Sequence, residues 1–490
     1  MESGATNMPD LQQCRALPQS QQPQDRTETR VPLLNYEFKQ GAFWHRIPAW
    51  RHITETEFGD HQWQQRNCIT SVENIESVLG GELPAGFAND LRAGLQRTPM
   101  RIRITPYIFS LIDWSSPQED PLRRQFLPMG SQFTADHPCC MDDSLNEDGD
   151  RSAPFLTHRY PDKVLFLPVS VCPVYCSYCT RSRLVGGSTE AKSKTPYGAS
   201  KDSWEETFAY IRRNTEIEDV VISGGDAFML RAEIIEHIGN RLLEIPHVRR
   251  FRYATKGLAV LPMKITSDDA WVHALKRISD RGKSMMKEVC IHTHIGSEQE
   301  MSEWTFNAMQ RLTEMGIKVR NQAVLLRGVN DSFDSMYRTI KKLSYLNIQP
   351  YLVFLHDMVP GCEHLRTTLS HAEQLFKQLL GTTAGFNVPR FVCDAPGGGG
   401  KRQISSYERY DREIGVSAWV APRVKPGRIF YYYDPIDQLP ESGQAIWAND
   451  DERKRRLAAF EHEVQESLAL ERCGIASSSE IGCGDPHVIR

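Results

Sequence analysis

Val164-Leu-Phe-Leu-Pro-Val-Ser-Val171 runs without a break into Cys172-Pro-Val-Tyr-Cys176-Ser-Tyr-Cys179. The first half is a short, mainly apolar run of the kind that forms a strand buried on both faces. The second half packs three thiols into a loop directly after it. Similar β-rich runs recur at 219–223, 248–255, 288–294, 319–326, 350–356 and 390–394. Amphipathic segments of helical period separate them at 203–213, 231–243, 268–281, 298–314, 332–346 and 370–380. Strands alternating with helices of this length form parallel pairs through crossover connections. About six βα repeats and one closing strand therefore predict an α/β fold, a partial (β/α)6-type parallel barrel within 156–400. Such a sheet carries its chemistry at the carboxyl ends of the strands. Polar groups that a core strand does not need collect there: Ser223-Gly-Gly-Asp226, His292-Thr-His294, Asn321-Gln322, His356-Asp357 and Asp394.

Around this core the chain has 490 residues, with 58 Lys and Arg against 62 Asp and Glu, a net charge of −4. That balance supplies no positive field for nucleic acid or anionic lipid. A hydrophobic content of 40% is enough for a large buried core and excludes wholesale disorder. No run of about 18 uncharged apolar residues is present, so no membrane span is expected. Residues 1–30 are rich in Gln, Pro, Ser and Thr, lack an apolar stretch and carry Glu2, Asp10 and Asp25. They read as a disordered tail without a secretory signal, and a cytoplasmic location follows as the expectation. Residues 31–155 read as a helical and loop region containing Trp44, Trp50 and Trp63, with long loops over 113–152. Residues 401–490 read as a mixed C-terminal extension, in which Tyr431, Tyr432 and Tyr433 precede a charged helix at 450–468 and a loose end.

Twelve cysteines in 490 residues are too sparse for a disulfide scaffold, so clustered ones point to metal. The C-x3-C-x2-C spacing suits three irons of a [4Fe–4S] cluster and leaves the fourth iron open to another ligand. A three-cysteine zinc site is the rival reading, although zinc usually closes its shell with a fourth protein ligand. Taken alone, Ser223-Gly-Gly-Asp226 is a turn, Lys401 after four glycines is a solvated charge on a loop, and Asp357 and Asp394 are loop residues or caps.

Together, five motifs resemble a known family. The cysteine triplet is similar to the signature of the radical S-adenosylmethionine superfamily. Thr157-His-Arg-Tyr-Pro-Asp162, Cys179-Thr-Arg181, Ile222-Ser-Gly-Gly-Asp226, the run 321–331 and Asp394-Ala-Pro-Gly-Gly-Gly-Gly-Lys401 resemble the lysine 2,3-aminomutase family, in collinear order over roughly residues 50–436. The resemblance implies that Cys172, Cys176 and Cys179 hold a [4Fe–4S] cluster whose open iron binds S-adenosylmethionine. Reductive cleavage there yields a 5′-deoxyadenosyl radical, and an electron donor of unknown identity must supply the electron. Ser223, Gly224, Gly225 and Asp226 match the segment beside S-adenosylmethionine, with the acid on its ammonium. Lys401 matches the amine that forms a Schiff base (aldimine) with pyridoxal 5′-phosphate, and Arg159 and Tyr160 match positions near that cofactor. Lys163 falls where many members have arginine, and the two cations differ in geometry.

Substrate choice, on the same resemblance, rests on Arg181 for the α-carboxylate and on Asp357 and Asp394 for a side-chain ammonium. Paired carboxylates in one pocket favour a cation between them. The implied enzyme is an isomerase that converts L-lysine to L-β-lysine; the rivals are an arginine 2,3-aminomutase and a non-catalytic iron–sulfur or zinc scaffold. One departure concerns assembly. Zinc-binding relatives carry a C-terminal cysteine segment, whereas 437–443 here has none and Met309 stands where they place a partner cysteine. No structural zinc is expected, and any homo-oligomer would form without that contact.

Overall fold

The computed structural model describes residues 37–194 and 201–479, with side chains over 37–194 and 203–470. The expected tail at 1–30 lies outside the described residues. Ten strands form one sheet in chain order. They are β1 (Arg151–Ala153), β2 (Leu156–Tyr160), β3 (Lys163–Phe166), β4 (Asp219–Ile222), β5 (Arg250–Thr255), β6 (Glu288–Thr293), β7 (Lys318–Leu325), β8 (Gln349–Leu355), β9 (Arg390–Ala395) and β10 (Gly400–Gln403). All seven runs expected as strands are present, but the first, expected over 164–171, ends at Phe166, and 167–171 continue as loop into the cysteines. β3 to β9 pair in parallel, in a register that lines up Phe166, Ile222, Tyr253, Ile291 and Val319 across five strands. β1, β2 and β10 add antiparallel margins that the βα rhythm does not forecast.

The crossover helices form where the apolar spacing places them, and short polar side chains start them. Asp268 caps Asp269–Ser284, and Ser332 caps Phe333–Tyr345, each accepting a backbone N–H that the first turn leaves without a partner. The segment expected as one helix over 298–314 is a 3-10 turn at Glu298–Glu300 followed by a helix at Glu303–Glu314. The break has a local cause: Met301 is extended and Ser302 restarts the helix with a capping box to Thr305.

The sheet curls until its margins meet through side chains rather than backbone. Lys401 N–H of β10 donates to Tyr160 Oη of β2 at 2.8 Å, and Arg159 of β2 stands 3.7 Å from Asp394 of β9. β1 and β10 are not hydrogen-bonded to one another, so the barrel is partial. The short N-terminal helices share its core: Trp44 stacks on Phe58 at 4.2 Å, within one cluster with Met263, Met301 and Ala308. A three-stranded antiparallel sheet, β11 (Arg409–Asp411), β12 (Val416–Val420) and β13 (Ile429–Tyr433), packs Trp419, Phe430 and Tyr432 against Val353, Leu355 and Phe391. The charged C-terminal helix spans Asp450–Ser479, longer than its expected 450–468. Among the described residues no helix is long and apolar enough to cross a membrane.

Candidate active site

A cavity of about 330 Å³ follows the inner face of the curled sheet to the carboxyl ends of its strands. Every residue that the resemblance assigns to the site lines it, from the cysteine triplet to Lys401; of the polar strand ends Thr293 and Asn321 do not, and the Asn321 amide instead bonds the Ile295 backbone. Two motifs more than 200 positions apart in sequence therefore meet in one space.

At one end stand Cys172, Cys176 and Cys179, half-buried in the loop after β3. Burial raises all three thiol pKa values, Cys176 to about 12, and the neighbouring sulfurs and Asp226 add to the rise at Cys172. Three crowded thiols of this kind hold their protons until a cation replaces them. Among the described residues no group of three or more His, Cys, Asp or Glu is arranged to grip a single metal ion. Three thiols within eight residues are one donor short of a closed zinc shell, whereas a [4Fe–4S] cluster takes three and leaves one iron open. The residues present fit a cluster.

The Ser223–Asp226 turn presses against the backbone that leads into the cysteine loop. Gly224 has φ +105°, and a Cβ there would meet the Val169 carbonyl oxygen at 2.1 Å; on Gly225 it would meet the Val171 carbonyl oxygen at 2.4 Å. Gly225 N–H and Asp226 N–H donate to those same two carbonyls, at 2.5 and 2.9 Å. The glycines thus let the turn and the cysteine loop share backbone hydrogen bonds. Asp226 is buried, and its two carboxylate oxygens accept Phe228 N–H at 2.8 Å and Lys256 N–H at 2.7 Å. Its first duty is local, holding the loops after β4 and β5 together, and it also lines the cavity.

At the other end, Lys401 Nζ donates to Asp394 Oδ2 at 3.3 Å. Burial alone would lower the ammonium's pKa, but the Asp394 carboxylate more than offsets it, and the net displacement is upward. Among the described residues Asp394 Oδ1 has no hydrogen-bond partner, nor do the buried Nε2 atoms of His292 and His356, which line the same space. Orphaned buried polar atoms around one cavity mark places that a polar ligand satisfies. Arg159 is fixed by Asp150 Oδ2 at 2.8 Å and by the Leu145 carbonyl. Lys163 lies with Nζ 3.8 Å from the Tyr160 ring centroid and also lines the cavity. Burial, then repulsion from Lys401 and Arg252, pushes Lys163 down to about 8. An anionic group such as a phosphate would relieve that excess of positive charge.

Asp357 accepts from Thr180 Oγ1 at 2.6 Å, and burial followed by the like charge of Asp394 raises it to about 7. Arg181 does not stand with its fork simply turned to the cavity. Its Nε and Nη2 donate to the buried carboxylate of Glu147 at 3.1 and 2.7 Å. Thr180 stands inside the Cys179-Thr-Arg181 motif without a role assigned to it, and no motif marks Glu147, Lys256 or Arg252. Lys256 Nζ reaches the fully buried Glu300 at 3.2 Å and the His294 carbonyl at 3.2 Å, behind the cysteine loop. The only hint of these partners in the sequence is their place at strand ends or in an acidic loop.

Comparison with known proteins agrees with this geometry. Residues 166–340 match the family model described as Radical SAM superfamily, and residues 376–411 match that described as Lysine-2,3-aminomutase. The chain is 36% identical over 401 residues to the L-lysine 2,3-aminomutase of Clostridium subterminale, covering 81% of this chain and 89% of that one. It is 34% identical over 417 residues to the L-lysine 2,3-aminomutase of Bacillus subtilis (strain 168), covering 85% and 83%. It is 30% identical over 354 residues to the glutamate 2,3-aminomutase of Clostridioides difficile (strain 630), covering 72% and 78%.

Proposed function

The chain belongs to the lysine 2,3-aminomutase family of radical S-adenosylmethionine enzymes, and on that premise we propose that it is an isomerase moving the α-amino group of L-lysine to C3, giving L-β-lysine. The observation that carries the reading is the shared cavity, in which three thiols, the Lys401 amine and a pair of aspartates converge. Cys172, Cys176 and Cys179 would hold the [4Fe–4S] cluster, the Ser223–Asp226 turn would flank S-adenosylmethionine, and Lys401 with Arg159, Tyr160 and Lys163 would hold pyridoxal 5′-phosphate. When bound, these groups supply one-electron chemistry that removes and returns a hydrogen atom, and a carbonyl on a conjugated ring that carries the migrating nitrogen.

The protein's own residues bind, orient and exclude. Arg181 takes the α-carboxylate, for which a planar guanidinium is suited. Asp357 and Asp394 take the side-chain ammonium, and the glutamate-acting member of the family has no use for two acids there. Apolar lining from Val221, Ala254, Phe354 and Leu355 keeps water from the reacting carbons. Lys401 must give up a proton to act as a nucleophile, and Asp394 is what holds that proton. With Lys401 engaged as the cofactor's anchor it carries no ammonium, which leaves Asp394 with Asp357 to receive the substrate's. The electron comes from a donor outside this chain.

The test is turnover by anaerobically reconstituted protein with dithionite and both organic cofactors, comparing L-lysine, L-arginine and L-glutamate. Lysine should turn over fastest. Faster turnover of arginine would move the substrate assignment, and an iron-loaded sample inactive on all three would overturn the proposal.

A further inference from the structure

We propose that Glu147 is a positioning residue for substrate, acting through Arg181; this rests on the reading of Arg181 as the carboxylate anchor. Glu147 is only 4% exposed, far from the usual surroundings of a glutamate. Its carboxylate engages Arg181 in a fork, Nε at 3.1 Å to both oxygens and Nη2 at 2.7 Å to Oε1, and Arg183 approaches Oε2 at 3.5 Å. Burial by itself would raise the pKa of this acid, but Arg181 and Arg183 hold it below the ordinary carboxylate range. The pair is thus ionised and fixed.

The backbone around Glu147 is built to present it inward. Asp143 accepts the N–H groups of Glu147 and Asp148 at 2.9 Å each and also holds Arg183 at 3.2 Å. Asn146 adopts the left-handed region at φ +53°, which turns the chain just before Glu147. The same loop reaches the pyridoxal end, where the Ser144 carbonyl accepts Gly397 N–H at 2.8 Å and the Leu145 carbonyl accepts from Arg159. One acidic loop from the N-terminal region therefore spans the two halves of the site.

An arginine two residues beyond a cluster cysteine has a long side chain whose ordering costs rotamer entropy. Glu147 meets that cost before substrate arrives, because it already holds the guanidinium's Nε and Nη2 donors in one orientation. The plane offered to the substrate carboxylate is then set by Glu147 rather than by the substrate.

The test uses the holoenzyme and two ligands, L-lysine and 1,5-diaminopentane, which keeps both amines and lacks the carboxylate. In Glu147→Gln the affinity for lysine should fall about tenfold, the worth of one hydrogen bond to a charged group, with KM rising and kcat little changed. Inhibition by 1,5-diaminopentane should be unchanged, and Glu147→Asp should recover part of the lysine affinity. Equal weakening of both ligands, or lysine affinity equal to wild type, would overturn the proposal. If wild-type protein binds 1,5-diaminopentane and lysine equally well, the carboxylate role of Arg181 fails first, and that outcome is distinguishable from failure at Glu147. Should Glu147→Gln fold poorly, Arg181→Gln in a double-mutant cycle with Glu147→Asp decides the matter: additive losses would contradict coupling between the two.

Discussion

Replacing Asp394 by asparagine should make Lys401 a better nucleophile and the protein a worse lysine binder at the same time. Asp394 Oδ2 stands 3.3 Å from Lys401 Nζ, and Oδ1 stands 3.7 Å from Arg159. At an effective dielectric of about 20, one charge pair at that first distance is worth about 5 kcal/mol. The Lys401 side chain is 32% exposed at the cavity, and solvent there reduces the attraction to about half, near 2.5 kcal/mol. Removing it raises the fraction of Lys401 present as free amine by roughly 70-fold at a pH below the amine's own pKa. The sign is fixed by the geometry: Asp394 holds the ammonium charged, so Asp394→Asn releases its proton at lower pH. The assay is the initial rate of pyridoxal phosphate capture by the cofactor-free protein, trapped with borohydride and located at Lys401 by peptide mass. Capture at neutral pH should be faster in the variant by tens of fold, whereas lysine affinity falls because one of two acids is gone. A capture rate unchanged or slower, together with lost lysine affinity, would refute the electrostatic account of Lys401.

Further outcomes follow from the same geometry. Cys176→Ser, reconstituted anaerobically, should lose most of its iron and labile sulfide while still capturing pyridoxal phosphate at Lys401, since the two ends of the cavity are held by different loops; retention of about four irons per chain would contradict the ligand assignment. Gly225→Ala should destabilise the protein by roughly 1–3 kcal/mol, because its Cβ meets the Val171 backbone rather than a movable side chain, and iron retention should fall further than thermal unfolding alone accounts for. Asp357, raised to about 7 by burial and then by Asp394, is neutral below that pH and charged above it, so lysine affinity should increase as pH rises through 7. Calorimetric titrations of Asp357→Asn should show that inflection flattened.

Much of this architecture could be read from residues because its period is local. The runs that became β3 to β9 are short, apolar and separated by amphipathic helices, and both signals come from spacing alone. β1, β2 and β10 escape that reading because their pattern is not apolar: Thr157-His-Arg-Tyr160 and Gly400-Lys-Arg-Gln403 are polar margins whose side chains serve the site. The break at Met301 is decided by Ser302, a cap that a continuous apolar stripe conceals. The cysteines and Lys401 stand in motifs that can be recognised from sequence, and their convergence follows from strand order. Glu147 could not be found in this way. An acid in a loop of Asp, Asn and Gly reads as solvated, and only tertiary contact with Arg181 makes it a buried partner. Asp226 stands in a readable motif, but its hydrogen bond to Lys256 N–H depends on the loops after β4 and β5 being brought side by side.

The central claim is that one cavity moves an amino group between neighbouring carbons of lysine. Its most direct measurement is the fate of nitrogen in L-lysine carrying 15N at the α-amino group, incubated anaerobically with the reduced, fully loaded protein and followed by NMR. Label appearing on C3, with the side-chain nitrogen unlabelled, is the predicted result; label remaining on C2 after prolonged incubation with iron, S-adenosylmethionine and pyridoxal phosphate all bound would contradict it.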